Sequence, residues 1–212
     1  IVKSSKEVEL NKFAGMDCYV GVDLAATSDL TAVAYLVVLD GTYYFKTHYY
    51  LPESALKDKA DKELYKYWKQ QGYLTVTSGN VTDYDYITAD MLRYADVVNI
   101  QSVGYDKYNA TQWAIDSTEQ GLPLEEYPQT LGNFNMPTRE LERLILSGKA
   151  VIDNNEINRY CFRNVTLKSD YNGNVKPNKA VDKKKIDGTI AMIQALGMFL
   201  RNPRFSNEII TI

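Results

Sequence analysis

The chain has 212 residues, 45% apolar and 24% charged, which suits one globular domain with a sizeable core and excludes a disordered chain. Its formal net charge is only -3, so no global basic field advertises nucleic acid, and any such contact must come from a local patch. Two cysteines, Cys18 and Cys161, supply neither a disulfide framework nor a zinc spacing; they fit a reducing compartment and are expected as small buried hydrophobes.

No signal peptide is evident and no apolar run is long enough to cross a bilayer, so a soluble, intracellular protein with no membrane partner is expected. The first residue is Ile1, which points to a piece of a longer polypeptide. Residues 1–16 read as a charged lead-in and residues 17–212 as the folded domain.

In chain order, apolar periodicity predicts strands at 18–22 and 31–39, then a tight turn at Asp40-Gly41 into a third strand at 43–50. These form an antiparallel meander. Helical spacing follows in "PESALKDKADKELYKYWKQQG", with Leu56, Ala60, Leu64, Tyr67 and Trp68 on one stripe and Gly72 as the stop. "YDYITADMLRYADVVNI" predicts a second helix, "SVGYDKYN" a fourth strand, "ATQWAIDSTEQG" a helix and "LPLEEYP" a short strand. Thr138 is the expected N-cap of "RELERLILSGK". Residues 155–185 read as strand-like, with a turn at "DYNGN" and a lysine-rich loop, before the nearly all-apolar helix "IDGTIAMIQALGMFL". The expectation is an α/β fold: a mixed sheet, its three-strand antiparallel meander continued by parallel strands and flanked by helices.

The chemistry has to be sought among carboxylates. The one histidine, His48, sits in a tyrosine-rich strand and reads as an ordinary strand residue. No GxxxxGK[ST] stretch exists, which argues against a P-loop nucleotide site in this chain. "YVGVDLA" and "VGYDKY" each carry Gly-x-Asp at the end of a predicted strand. Period-two alternation puts Gly21 with Asp23, and Gly104 with Asp106, on one strand face.

A glycine two residues before the acid leaves room for something that is not protein. Parallel neighbouring strands lie about 4.8 Å apart, close enough for both carboxylates to hold one cation. A third acid, Asp187, opens the last helix, where the macrodipole favours a negative group. Three such acids can hold two divalent ions that activate water and stabilise the leaving oxygen in phosphodiester cleavage, and hard oxygen ligands select Mg or Mn. Asp29 and Asn109 are candidate supports behind these ligands; Asp17 and Asp83 read as surface acids.

"KPNKAVDKKK" carries Lys176, Lys179, Lys183, Lys184 and Lys185 against one acid, immediately before Asp187. A polyanion needs cationic contacts to approach a negatively charged site, which makes Lys179, Lys183, Lys184 and Lys185 candidate contacts for one, and for DNA under the family resemblance that follows.

Three stretches together resemble the C-terminal nuclease domain of the large terminase subunits of tailed bacteriophages: "YVGVDLAATSDLTAVAYL", "VGYDKYNATQWA" and "RYCFRNVTLKSDYNGNVKPNKAVDKKKIDGTIAMIQALG". The likeness runs over residues 17–201, and its last stretch is the most specific, with Asn164-Val165, "NGNVKP" and "KIDG" in order. It implies an RNase H-like fold and a divalent-metal-dependent DNA endonuclease that cuts concatemeric viral DNA. Asp23, Asp106 and Asp187 match the family's metal-binding acids, and Lys185 matches the lysine before the third. It further implies two Mg or Mn ions, double-stranded DNA, a portal protein and a small terminase subunit as partners, and action in the host cell cytoplasm rather than as a lasting virion component. The family's ATPase half is absent from this chain.

Two other readings stay open at this point. "VGVDLAATS" resembles the phosphate loop of ATP-binding proteins of the actin and sugar-kinase type, although Ala25 stands where those loops favour glycine. A non-catalytic domain that docks DNA or portal is the other.

Overall fold

A computed structural model of the chain describes residues 2–25, 29–57, 61–108, 110–181 and 184–201. The elements in chain order are β1 (Ser5–Lys6), β2 (Asp17–Asp23), β3 (Thr31–Leu39), β4 (Thr42–Pro52), α1 (Lys62–Gln70), β5 (Thr75–Thr77), α2 (Tyr84–Ala95), β6 (Asn99–Tyr105), α3 (Thr111–Glu119) and β7 (Leu124–Glu126). They continue with α4 (Leu131–Leu146), β8 (Ala150–Asp153), α5 (Glu156–Arg163), β9 (Val165–Ser169), β10 (Val175–Lys179) and α6 (Asp187–Arg201).

The main sheet has the order β1-β8-β4-β3-β2-β6-β7, with β5 also paired to β4. The meander β2-β3-β4 is antiparallel, and β6, β7, β8, β1 and β5 add in parallel around it, so the expected mixed sheet is present. Asp40 and Gly41 both have positive φ, 49° and 70°, as a two-residue hairpin turn matched to strand twist requires.

Period-two alternation sorts the core into two layers. Tyr19, Ala32, Ala34, Leu36 and Phe45 face α1, α4, α5 and α6, whereas Val20, Val22, Val33, Tyr35 and Val37 face α2 and α3. Both cysteines are buried and unpaired by disulfide. Helix α6 is buried on all sides from Asp187 to Phe199, and each large apolar side chain it contributes adds roughly 1.5–3 kcal/mol.

Gly21 and Gly104 have a different purpose from the one expected. A Cβ on Gly21 would overlap the Ala191 carbonyl oxygen and the Ala195 nitrogen of α6, and one on Gly104 would meet the Met198 Cγ at 2.7 Å. The missing side chain makes room for the helix backbone at Gly21 and for the Met198 side chain at Gly104, not for a ligand. A bulge in the β2–β6 pairing between Cys18 and Tyr19 then brings Gly21 level with Gly104.

Other expectations are corrected as well. Residues 2–16 are packed rather than a free lead-in: β1 pairs with β8, and Val8, Leu10 and Phe13 are buried. Of the first expected helix, the described residues form a 3-10 turn at Glu53–Leu56 and α1, and Ala60 of its stripe lies outside them. The segment expected as strand-like from 155 begins instead with α5, capped by the Asn155 side chain, which accepts from Ile157 N at 2.9 Å; only β9 and β10 beyond it are strands.

Helix α4 starts seven residues before the expected cap. Thr130 is the N-cap, its hydroxyl accepting from Asn133 N at 3.3 Å, and Thr138 lies inside the helix. Pro137 lacks the N–H that would bond the Asn133 carbonyl, and the Tyr127 hydroxyl donates to that oxygen instead, at 2.7 Å.

The two-stranded β9–β10 hairpin stands apart from the main sheet and is fastened to α4. Arg139 Nη2 donates to the Gly173 carbonyl at 2.6 Å, and Val175 N donates to Asn135 Oδ1 at 3.0 Å.

Because α6 rests on bare backbone, Gly21→Ala is expected to destabilise the chain by about 3 kcal/mol or more in urea titrations. Gly132→Ala, where a Cβ meets nothing within 4 Å, should be neutral or stabilise α4 by about 0.5–1 kcal/mol.

Candidate active site

The carboxyl ends of β2 and β6 lie side by side. Val22 pairs with Tyr105 in the parallel ladder, so Asp23 and Asp106 are the next residues along, one on each strand. Asp187 comes from the other direction, in the first turn of α6, and the close seat of that helix on Gly21 brings its carboxyl to Asp23. The three acids singled out from the sequence therefore meet at one end of the sheet.

Burial pushes the Asp23 carboxyl well above the usual carboxylate range, and repulsion from Asp187 and, more weakly, Asp106 adds to that. A hydrogen bond from Gln129 and the charge of Lys179 oppose the rise. Asp187 is also raised, by its own burial, against backbone N–H groups and the charges of Lys179 and Lys185. Its Oδ2 is buried with no hydrogen-bond partner among the described residues. A carboxylate oxygen removed from water with nothing donating to it is costly, and a cation would offset that cost.

Asp106 is tied differently. Its Oδ1 accepts from Tyr108 N at 3.0 Å and its Oδ2 from Gln129 N at 2.9 Å. The Gln129 side chain reaches the other strand, Nε2 donating to Asp23 Oδ1 at 3.0 Å. One residue thus links both strand-end acids.

No group of three or more His, Cys, Asp or Glu side chains among the described residues is already drawn in tightly enough to hold a metal ion. The donor set is nonetheless all-oxygen, with Asp187 buried and Asp23 and Asp106 half-buried, and it includes a carboxylate oxygen unpartnered among the described residues, which fits a hard divalent cation.

Two of the four candidate DNA-contact lysines are beside these acids. Lys179, at the end of β10, lies 3.7 Å from Asp29 Oδ2, and Lys185 pairs with Asp29 Oδ1. Asp29 therefore holds lysines and does not buttress the acids directly. Lys184 goes elsewhere, its ammonium 5.7 Å above the Tyr160 ring. Lys183 and Asn109 lie outside the described residues. Asp83 caps α2, accepting from Tyr86 N, and Asp17 accepts from the Asn99 and Gln101 side chains. His48 packs against Tyr35 and Tyr94 on the α2 face of the sheet, away from the acids, and burial pushes it down to about 4.

Gln129 is the site residue that sequence reasoning missed, and Lys176 enters that reasoning only as one lysine of the basic run. Lys176 Nζ donates to the Gln129 carbonyl at 3.1 Å, joining the basic hairpin to the loop that bonds the acids. The available signal was position: residue 129 precedes a helix and follows a strand parallel to β6, at the sheet end where ligands of open α/β sheets gather.

Strand-end acids on two central parallel strands, a third acid opening a buried helix, and an antiparallel meander at their side define the RNase H-like class of fold. Residues 4–202 match the family described as terminase large subunit, endonuclease domain, and the chain belongs to that family. It is 32% identical over 210 residues to Protein YmfN of Escherichia coli (strain K12), covering 91% of this chain and 45% of that protein. To the large subunit of the terminase of Enterobacteria phage HK97 it is 29% identical over 187 residues, 84% of this chain and 36% of that one. The chain thus spans less than half the length of these relatives.

Among solved structures, the HK97 bacteriophage large terminase superposes with a TM-score of 0.81 at 26% identity, over 92% of this chain and 41% of that one. The large terminase nuclease from thermophilic phage G20c shares the fold at 12% identity, with TM-scores of 0.58 in its form with bound magnesium and 0.56 in its form with bound cobalt. Each covers 85% of this chain and 80% of the other.

Raised carboxyls have a definite consequence for stability. The folded state keeps protons that the unfolded chain loses near 3.8, so this contribution is complete below that pH and disappears as pH rises through the higher folded values. In chelator, the chain is expected to lose stability from about pH 4 upward. Asp23→Asn should flatten that slope and raise the pH 7 melting midpoint by about 2–4 °C for each kcal/mol relieved.

Proposed function

We propose that this chain cuts double-stranded DNA by divalent-metal-dependent phosphodiester hydrolysis, as the nuclease part of a viral genome-packaging terminase. The observation that carries this reading is the convergence of Asp23, Asp106 and the unpartnered Asp187 oxygen at one sheet end in a terminase endonuclease domain. Two ions, Mg or Mn, are the proposed cofactors, with Asp23, Asp106 and Asp187 as their ligands. When bound, such ions lower the pKa of water and neutralise charge on the attacking and leaving oxygens. The magnesium and cobalt forms of the G20c nuclease support divalent metal use here.

The chain's own residues do the rest. Asp23 ends β2 and Asp106 directly follows β6, so the sheet fixes the separation of their backbones as substrate arrives. Asp187 is held by a helix seated directly on the β2 backbone at Gly21. Lys179 and Lys185 supply positive charge beside the acids, and a DNA phosphate can take the place of Asp29 as their partner. That exchange lets a polyanion approach an otherwise repulsive pocket.

From the family come further elements of the proposal: concatemeric DNA as substrate, a portal protein and a small terminase subunit as partners, action in the host cell cytoplasm, and a preceding ATPase domain. The family match favours this reading over the actin and sugar-kinase one.

Supercoiled plasmid incubated with the chain in Mn2+ or Mg2+ is expected to be nicked and linearised, and Asp23→Ala, Asp106→Ala and Asp187→Ala should each lose about 100-fold or more. DNA binding without cleavage in every metal would instead favour a docking domain. The double variant Lys179→Met/Lys185→Met should weaken DNA binding across all sequences and reduce the salt slope by about one for each phosphate no longer neutralised.

A further inference from the structure

Three hydrogen bonds converge on Gln129, and all three concern the candidate site. Its N–H goes to Asp106 Oδ2 at 2.9 Å, its side-chain Nε2 to Asp23 Oδ1 at 3.0 Å, and its carbonyl receives Lys176 Nζ at 3.1 Å. The residue lies in the short link between β7 and α4, and that link is firmly held. On one side Tyr127 N donates to the Tyr105 carbonyl at 2.6 Å, extending the β6–β7 ladder, while the Tyr127 ring packs on Phe134 and under Arg201. On the other, Thr130 caps α4 and its N–H bonds the Pro128 carbonyl at 2.8 Å.

The chemistry of the side chain matters as much as its place. Two ionised carboxylates on adjacent strands repel, and free rotation would let them turn apart. A charged donor such as lysine would hold them but would also compete with a cation for the same negative charge. A carboxylate at this position would add to the repulsion. A neutral amide fixes the rotation and leaves the charge in place, and each oxygen it bonds keeps a further lone pair.

We propose that Gln129 is a positioning residue: it sets the mutual placement of the Asp23 and Asp106 carboxylates, and through it the affinity of the site for divalent metal. The inference rests on the metal-site reading above and adds to it a residue that touches neither metal nor DNA. Lys176 braces the same link from the hairpin, so the surface expected to meet DNA and the acids expected to hold metal share one support.

The test is Mn2+ binding to the DNA-free chain, followed by the electron paramagnetic resonance signal of free Mn2+, for wild type, Gln129→Met and Gln129→Ala. Met keeps the length and loses the donor; Ala loses the donor without bulk. Orienting groups behind metal ligands are worth roughly 10–100-fold in affinity, so both variants should bind Mn2+ about 10-fold more weakly with unchanged melting midpoints in chelator. Plasmid cleavage should fall at limiting Mn2+ and recover as Mn2+ is raised, a split that general loss of structure would not produce. Mn2+ affinity within twofold of wild type in both variants overturns the role of Gln129, provided Asp23→Asn abolishes binding. If Asp23→Asn also binds normally, the metal-site reading falls and this inference with it.

Discussion

Helix α6 crosses strand β2 at Gly21 with no side chain between them, and the rest of the site depends on that contact. Gly21 offers bare backbone to Ala191 and Ala195, so helix and sheet approach more closely than any larger residue would allow. The proximity of Asp187 to Asp23 follows directly. A helix held one side chain further out would carry Asp187 away from the strand ends, and its repulsion from Asp23 would fade with distance. The same glycine thus controls the packing of the core and the electrostatics at its edge.

Electrostatics at that edge are arranged in pairs of unequal strength. Asp23 and Asp187 are removed from water and Asp187 repels Asp23, which favours their protonated forms. Lys179 lies near enough to lower both carboxyls and Lys185 near enough to lower Asp187, yet they pair with Asp29 rather than with the acids themselves. Asp29 therefore keeps positive charge beside the pocket while leaving the carboxylates uncapped. Had the lysines closed directly on Asp23 and Asp187, a cation would have to break two ion pairs to enter.

Much of this was legible from residue pattern. Asp40-Gly41 marked the hairpin through its demand for positive φ, period two placed Gly21 with Asp23 and Gly104 with Asp106, and the uninterrupted apolar run after Asp187 marked a buried helix. The meaning of the glycines was not legible, because a missing side chain looks the same whether a ligand or a helix fills the space. Helix α5 escaped because it is only two turns long and its Asn155 cap follows closely on β8, so its apolar face repeats too few times to be told from a strand. The start of α4 was hidden by Pro137, which reads as a boundary unless a distant group such as the Tyr127 hydroxyl takes over the orphaned carbonyl. Gln129 was beyond reach for a related reason: its importance comes from three partners at residues 23, 106 and 176, none of them near it in sequence.

The attachment of the β9–β10 hairpin to α4 has a mechanical consequence. Helix α4 begins immediately after the Gln129 link and, within its first turns, grips the hairpin through Asn135 and Arg139. Helices are stiff over this length, so the link and the hairpin form the two ends of one short lever. A load on the lysine-bearing arm would reach the link beside Asp23 and Asp106 through α4 and the Lys176–Gln129 bond, not through the sheet. With DNA seated on the hairpin lysines, such a lever would make the alignment of the acids sensitive to how the duplex pulls on that arm.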